Sequence, residues 1–476
     1  MEEELEVSVE EIQKLFERAS KNHYNAKNLD RTDYEALKLC RSLFEKDYVC
    51  EFLDNHGDLT LNYPAQIIIP VKVRNVGPQE QRSSSKSRKL DVNVLRKYVQ
   101  ESGDVRAKRR FPAPAIFFEG KFVCRSAAAC DHLCSQVFEM RAISHPLDPE
   151  YREIFKLSEY IADYLLNMED DFEYEVNIPT SVYILLSAQL MEEMKKDIEL
   201  LKYLGVRYLC DVRAKKVECP KALRSVENIG KEHYKVFRIS QLPYPDYQLF
   251  KAYTAKNRNP VGLKFKWRKK NKIKLEIEKS GKTLKDERLR RIDYSKYQNA
   301  NIKLKVPHKD NLSPFRRKLK KYQKWDLVDL TKHYLLLLLE YIIFGKGGML
   351  VHCAVGWDRT PIFIALLRLS LWADGWIHVS LTPLQMTYLT LAYDWYLFGH
   401  SLPHLLEAKC EILHFCYNFL QFIWTDDFSS TKKLYDSSSE KKCCRRIPIF
   451  EQGKRREKLE KVWDIFSAIY KPSALV

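Results

Sequence analysis

Cys353 and Arg359 stand six residues apart in the stretch MLVHCAVGWDRT, residues 349–360, between an apolar run and a segment of helical pattern. The spacing alone carries little: 12 cysteines in this chain, with arginine at ordinary frequency, give about one such pair by chance. Requiring His352, Gly356 and Thr360 as well lowers that expectation to well below ~1 in 1,000. A strand before the loop and a helix after it add independent support. Together these residues are what a phosphate-binding loop with a nucleophilic cysteine needs.

A loop running from a strand into a helix N-terminus can turn several backbone N–H groups inward, in line with the helix dipole, which makes an anion nest. At its base Cys353 has its thiolate favoured by those dipoles and by Arg359. The Arg359 guanidinium is a planar fork that grips two phosphoryl oxygens and stabilises their charge during transfer. Gly356 lets the backbone approach the phosphate without a Cβ clash. Thr360 is placed to hydrogen-bond the sulfur as it leaves, and His352 to orient the loop through a backbone hydrogen bond. The expected reaction has two steps: thiolate attack forms a phosphocysteine, and water hydrolyses it.

Asp358 has two readings. It can cap the following helix, where the dipole favours a carboxylate, or act as general acid and protonate the leaving alkoxide of an alcohol substrate. One carboxylate can do both, and catalysis is preferred. The rival acid is Asp246 in Leu242-Pro243-Tyr244-Pro245-Asp246, at the chain position where many cysteine phosphatases carry a mobile acid loop; there a plain turn residue is preferred.

The elements around the loop follow from periodicity. Residues 194–204 form an amphipathic helix that stops at Gly205. Residues 206–212 read as a buried strand and 234–239 as a second. A helix is expected over 325–344, then a glycine-rich turn, a short strand over 349–351 and a buried helix over 361–372 with Pro361 at about its second position. Helices alternating with strands, and a functional loop at a strand's C-terminal end, describe an α/β sheet with its ligand at the strand ends. Helical pattern continues over 383–397, 403–424 and 454–470.

Upstream, one helical face holds Ile12, Leu15 and Phe16, and another Tyr34, Leu37, Leu39 and Leu43. A strand over 65–73 contains Pro70, which places it at a sheet edge. The basic, Ser-rich QRSSSKSRK (81–89) reads as an exposed loop, and 115–123 as two short strands turning at Glu119-Gly120. This reading divides the chain into a mixed α+β region (1–150, a candidate divergent lipid-binding module), a segment carrying the loop (151–440) and a basic segment with a helix (441–476).

The net charge of +17 is concentrated: between residues 264 and 321, 22 lysines and arginines face six acidic residues, a balance of +16. Such an insertion is either a solvated surface segment or a contact for anionic lipid, worth about 1 kcal/mol per basic residue close to the membrane. Nucleic acid attracts the same charge, but no nucleic-acid motif accompanies it. The scattered cysteines do not suggest a disulfide scaffold, and the acidic start lacks a signal-peptide pattern. The longest apolar run, 334–344, is about half of what a bilayer needs and contains Glu340. The expectation is a cytoplasmic protein, peripheral on membranes through its basic insertion, with oligomeric state open.

With these residues in hand, the chain resembles the myotubularin-related lipid phosphatases, whose fold is similar to that of tyrosine phosphatases. That family's His-Cys-x-x-Gly-Trp-Asp-Arg-Thr is matched by His352, Cys353, Gly356, Trp357, Asp358, Arg359 and Thr360. Its acidic-Trp-x-x-Phe-Gly-His is matched by Asp394, Trp395, Phe398, Gly399 and His400. RTPIFIALLRLSLWADGWIH, YDWYLFGH, LKYLGVRYLCDV and FEGKFVCRSA are similar to the branch called Jumpy in vertebrates and egg-derived tyrosine phosphatase in insects, so the resemblance runs across most of the chain. It implies a tyrosine-phosphatase-like central sheet flanked by helices, and hydrolysis of the D3 phosphate of phosphatidylinositol 3-phosphate and phosphatidylinositol 3,5-bisphosphate without metal or cofactor. It implies Cys353, Arg359 and Asp358 as catalytic residues, and His352, Ala354, Val355, Gly356, Trp357, Thr360 and His400 as substrate-binding positions. Two departures stand out. Ala354-Val355 replace the family's Ser-Asp, and Ser401 replaces an arginine that in the wider family helps to bind the inositol phosphates.

Other constellations are weaker. Cys130-x3-Cys134 with His132 and Cys124 is irregular for a metal. Cys443-Cys444 within KKCCRR fits acylation beside acidic lipid less well than an exposed charged loop. Two alternatives to the lipid phosphatase stay open: a protein tyrosine or dual-specificity phosphatase, and a catalytically weak lipid-binding pseudophosphatase, against which intact Cys353 and Arg359 argue.

Overall fold

The computed structural model describes residues 7–74, 87–103, 105–129, 180–213, 234–245, 247–265, 267, 304–306, 321–437 and 448–470. Asp246, the Cys130/His132/Cys134 cluster, the Cys443-Cys444 pair, residues 81–86 of the Ser-rich segment and nearly all of the basic stretch lie outside the described residues.

Helix α1 (Val9–Lys21) starts on Ser8, whose hydroxyl accepts from the Glu11 N–H, and α2 (Arg31–Asp47) on a capping box between Asp30 and Asp33. On α2 the buried side is Ala36, Leu37, Leu39, Cys40, Leu43 and Phe44, whereas Tyr34 is 62% exposed, so it does not belong to the face predicted for it. Strands β1 (Tyr48–Asp54) and β2 (Gln66–Val73) form a separate antiparallel pair. As Pro70 predicts, β2 has β1 as its one strand partner among the described residues, and the register shifts where Cys50 meets Pro70. Helix α3 (Val92–Glu101), which the sequence reading passes over, is capped by Asp91.

The main sheet has five strands in the order β3 (Ala113–Phe118), β4 (Lys121–Ala127), β7 (Gly348–Cys353), β5 (Val206–Asp211) and β6 (Arg238–Gln241). β3 (Ala113–Phe118) and β4 (Lys121–Ala127) are the predicted hairpin, turning through Glu119 and Gly120 at φ 45° and 77°. Helix α4 (Thr180–Tyr203) runs longer than the predicted 194–204 and leads through Gly205 (φ 64°) into β5 (Val206–Asp211). The strand expected over 234–239 is displaced to β6 (Arg238–Gln241). Tyr234 to Val236 instead make one 3-10 turn, because the Tyr234 hydroxyl donates inward to Asp197 Oδ2 (2.5 Å). β4, β7, β5 and β6 run parallel, and β3 is antiparallel to β4. The sheet therefore combines β3 and β4, from the first 150 residues, with three later strands.

Helix α5 (Tyr247–Ala255) follows, then α6 (Leu327–Phe344), whose first turn is capped by Asp326 and which ends at Gly345. β7 (Gly348–Cys353) is buried throughout and occupies the centre of the sheet. The loop then enters α7 (Arg359–Ala373), buried from Thr360 to its end, a helix apolar on nearly all sides as a core helix must be. Pro361 is its third residue, where a missing N–H costs nothing. Buried Arg368 of α7 pairs with buried Asp394 (2.8 Å) and donates to Ala115 O, tying the helix to β3 and to the next segment. That segment is α8 (Pro383–Leu389) continued by a π-helical stretch, Thr390–Leu397. The expected helix over 403–424 is interrupted. α9 (Leu402–Glu407) and α10 (Ile412–Asn418) are separated at Lys409, which takes a left-handed φ of 54° that no helix accommodates. Helices α11 (Ser430–Ser437) and α12 (Lys454–Ile469) complete the described chain. No described helix is long and apolar enough to cross a membrane.

Candidate active site

Cys353 is the last residue of the central strand, level with Ala127 of β4, and His352 is level with Ser126 of β4 and Asp211 of β5. The strand end is tied on both sides. Ala128 N–H lies 2.8 Å from Cys353 O and 3.2 Å from Ala354 O, and Val212 N–H donates to His352 O (2.9 Å). The chain then doubles back so that Gly356 N–H donates to Cys353 Sγ at 3.2 Å, a contact that a thiolate accepts more strongly than a thiol. Gly356 has φ 78°, and a Cβ there would sit 2.8 Å from Ser126 O. The close approach that demands glycine is thus to β4 beneath the loop rather than to a bound anion.

Two buried arginines hold the loop from below. Arg110 donates to Gly356 O (3.2 Å), Phe398 O (2.8 Å) and Asn62 O (2.7 Å). Arg125 donates to Asp394 O (2.6 Å) and Gly356 O (3.4 Å). Both guanidiniums are essentially inaccessible, at 0% and 1% exposure, and burial pushes both below the ordinary arginine range, Arg110 to about 10. Each is close enough to Cys353 to feel its charge. A third, Arg106, forms a buried double contact with Asp197 (2.9 and 2.7 Å) and reaches Ser126 Oγ and Ala127 O beside the cysteine. The sequence reading names none of these three. Their signal is a charged residue inside an otherwise apolar strand, as in FVCRSA, and the basic run RAKRR (106–110), which composition alone marks as surface.

The predicted residues gather around this framework. Arg359 opens α7 and is half-exposed; its guanidinium has no hydrogen bond or ion pair with a described residue. Asp358 occupies the N-cap position of α7, yet its side chain makes no cap hydrogen bond. Its Oδ1 faces His400 Nδ1 at 3.3 Å with the carboxyl 42% exposed. The same His400 nitrogen lies 3.1 Å from Trp357 O. Ala354 and Val355 are half-buried in the loop. Among the described residues the His352 side chain does not make the orienting bond expected of it: Nδ1 is buried without a hydrogen-bond partner there, 3.9 Å from Asp211 Oδ1. Burial lowers His352 to about 4, against the pull of Asp211. Burial opposes ionisation of Asp211 too, but Arg213 and His352 outweigh it and hold that carboxyl at about 2. The Thr360 hydroxyl is buried and makes no hydrogen bond among the described residues, the Cys353 sulfur included.

Five buried polar atoms without hydrogen-bond partners among the described residues therefore surround one loop: Arg110 Nε, His352 Nδ1, Trp357 Nε1, Thr360 Oγ1 and His400 Nε2. Native interiors leave few such groups, and a cluster of them marks a functional or ligand-dependent site. Two cations lie near the Trp357 ring, Lys108 Nζ at 4.2 Å from its centre and the Arg110 guanidinium at 5.9 Å. No group of His, Cys, Asp and Glu among the described residues is arranged to hold a metal ion.

Residues 182–373 match the model of the tyrosine phosphatase family, from α4 through the end of α7. The chain is 32% identical over 434 residues to human phosphatidylinositol-3,5-bisphosphate 3-phosphatase MTMR14, and 32% identical over 428 residues to its mouse counterpart. These alignments take in 88% and 87% of this chain but 58% of each relative, so the chain spans a little more than half the length of the curated relatives it matches. The loop geometry and the central parallel sheet agree with these similarities: residues 182–373 carry a tyrosine phosphatase family domain, and the chain is similar to the two myotubularin-related relatives over most of its own length.

Proposed function

We propose that the chain is a phosphoinositide 3-phosphatase that removes the D3 phosphate of phosphatidylinositol 3-phosphate and phosphatidylinositol 3,5-bisphosphate. The observation that carries this reading is the loop itself: Cys353 Sγ under the Gly356 N–H, with Asp358 turned to His400 instead of capping its helix. The names of the two relatives support the lipid substrate.

In the first step the Cys353 thiolate attacks phosphorus, the bond from phosphorus to the inositol oxygen breaks, and Asp358 delivers the proton that oxygen needs. Arg359 and the loop N–H groups hold the equatorial oxygens. In the second step water attacks the phosphocysteine, Asp358 takes its proton, and sulfur leaves as thiolate under the Gly356 N–H. Arg110 and Arg125 fix the loop and supply positive charge from below. His400, between Trp357 O and Asp358, sets the direction of the acid. The remaining positions, His352, Ala354, Val355 and Trp357, form the wall that receives the headgroup. The basic stretch 264–321 holds the enzyme on anionic membrane from the cytoplasmic side. Deleting it is expected to reduce activity on vesicles more than on short-chain soluble lipid; an equal loss on both contradicts that role.

A panel of short-chain phosphoinositides beside phosphotyrosine peptides, read by phosphate release, tests the substrate class. Lipids bearing a D3 phosphate are expected to turn over and those bearing only D4 or D5 phosphates are not. Faster turnover of phosphotyrosine moves the protein to the other class.

A further inference from the structure

The basic stretch leaves and re-enters the fold at one place. Before it, a turn at Val261 and Gly262 leads to Phe265 and Trp267; after it, Lys321 and Tyr322 lead to Trp325 and α6. The Trp267 and Tyr322 rings meet edge to face with centres 4.5 Å apart, and Phe265 packs on Trp267 in the same way at 4.8 Å. The backbone closes the same root: Lys264 bridges Asp326, and Leu327 N–H donates to Leu263 O (2.6 Å). Between these ends, Lys305 exchanges two main-chain hydrogen bonds with Gln241 (2.9 and 3.0 Å), on the side of β6 away from β5.

Helix α6 fixes where this root stands. The helix runs antiparallel to the strands: Tyr341 meets Ser240 inside β6 (2.7 Å), Tyr334 donates to Pro243 O just past it, and Thr331 meets Tyr244 (2.8 Å). Asp326 at the helix start, and Lys264 beside it, therefore lie beyond the carboxyl ends of the strands, the end from which the Cys353 loop springs. The main-chain row Lys305, Gln241, Asp211, His352 agrees, with three strand spacings, about 14 Å, between Lys305 and the residue before Cys353. Lys264, Lys305, Lys321 and Lys324 are exposed here, and their ammoniums have no hydrogen bond or ion pair with a described residue. Val261 among them is 51% exposed. The neighbouring Asp326 carboxylate accepts from the Gly262 and Asp329 N–H groups.

We infer that this end of the molecule, marked by Val261, Lys264, Lys305, Lys321 and Lys324, is the surface that rests on an anionic bilayer, so that one contact both holds the protein and turns the Cys353 loop toward its lipid. The inference rests on the phosphoinositide 3-phosphatase reading and adds an orientation to it. Attraction between basic side chains and acidic headgroups fades within a Debye length, so it acts only on the face turned to the membrane. An exposed apolar side chain among lysines suits the headgroup layer of a bilayer better than a polyanion in water.

The test reverses equal charge at the two ends of the sheet in the full chain. Lys264→Glu, Lys321→Glu and Lys324→Glu together alter the face described. Exposed Lys202, Arg207 and Lys346, all changed to Glu, alter the opposite end, where Gly348 N–H donates to Gly205 O at the start of β7. Binding is read by sedimentation with vesicles of phosphatidylcholine and phosphatidylserine. The first triple variant is expected to lower binding at least about tenfold and the second less than about twofold. Equal losses assign binding to net charge and overturn the inference, as does no loss from the first triple. Wild-type chain that is retained by duplex RNA but not by the vesicles assigns the face to nucleic acid and overturns it too. Release of phosphate from short-chain phosphatidylinositol 3-phosphate needs no vesicle and is scored separately: wild-type chain that binds as expected but releases none removes the phosphatase reading and leaves the membrane face supported.

Discussion

Arg125 and Arg359 are the same residue type on opposite sides of one loop, and they live in different worlds. Arg125, with Arg110, lies under the loop, sealed from water and committed to main-chain carbonyls. Arg359, at the start of α7, is half-buried and has no hydrogen bond or ion pair with a described residue. The buried pair cannot turn toward an anion without abandoning the carbonyls it holds. Arg359 has no such bond with a described residue to give up when it closes on a phosphate. The loop is thus built by one set of guanidiniums and used by another, and substitution should separate construction from chemistry.

The largest expected effect is at the nucleophile. Cys353→Ser should lower phosphate release from a D3-phosphorylated lipid by at least about 10⁴-fold while leaving lipid binding in place. Turnover near wild type would assign the chemistry to another residue. Arg359→Lys should cost about 10²–10³ in kcat, since an ammonium cannot reproduce the two-pronged grip, with thermal stability little changed. Arg125→Met should do the reverse first. It takes the guanidinium donor from the Asp394 carbonyl, at a cost of about 1–3 kcal/mol, leaves Gly356 O to Arg110 alone, and should lower the melting temperature before activity is considered. If both variants melt alike, the division between floor and rim fails.

A smaller effect separates the two readings of Asp358. Asp358→Asn should slow a short-chain lipid about 10²-fold but an aryl phosphate with a good leaving group less than about threefold. Equal slowing makes Asp358 structural. The smallest effect concerns pH. Burial holds folded His352 near 4 against an ordinary 6.5, so below pH 6.5 the unfolded chain binds a proton that the folded chain refuses. Its contribution to stability is therefore complete above about 6.5 and is lost as pH falls toward 4. His378 and His414, lowered by the same burial, act in the same direction. Melting temperature should fall on acidification from pH 7 to 5, and His352→Asn should flatten part of that slope; an unaltered slope would mean that His352 titrates normally.

The difference between floor and rim also explains what the sequence could tell. The rim is local: nucleophile, arginine, acid and helix start sit within residues 352–360, and their spacing announces the chemistry. The floor is not, because Arg110 and Arg125 reach Gly356 O across 246 and 231 residues of chain. Short-range rules worked where the turn chemistry was strong, as at Glu119-Gly120, whose positive φ values make the hairpin. They missed at residues 234–239, where one buried hydroxyl bonded to Asp197 displaced a strand. Composition divides the chain near residue 150, yet β4 from the first part lies against β7 and supplies the Ser126 carbonyl that forces glycine at 356. Pairing of that kind leaves no periodic trace.

The most direct test of the central claim is to trap the intermediate. Lipid carrying radiolabel in its D3 phosphate is mixed with the full chain, quenched in acid within one turnover, and the protein is digested and mapped. The account predicts label on the peptide containing Cys353, absent in Cys353→Ser. Release of labelled phosphate with no labelled cysteine, or equal labelling from a phosphate at another ring position, would contradict it.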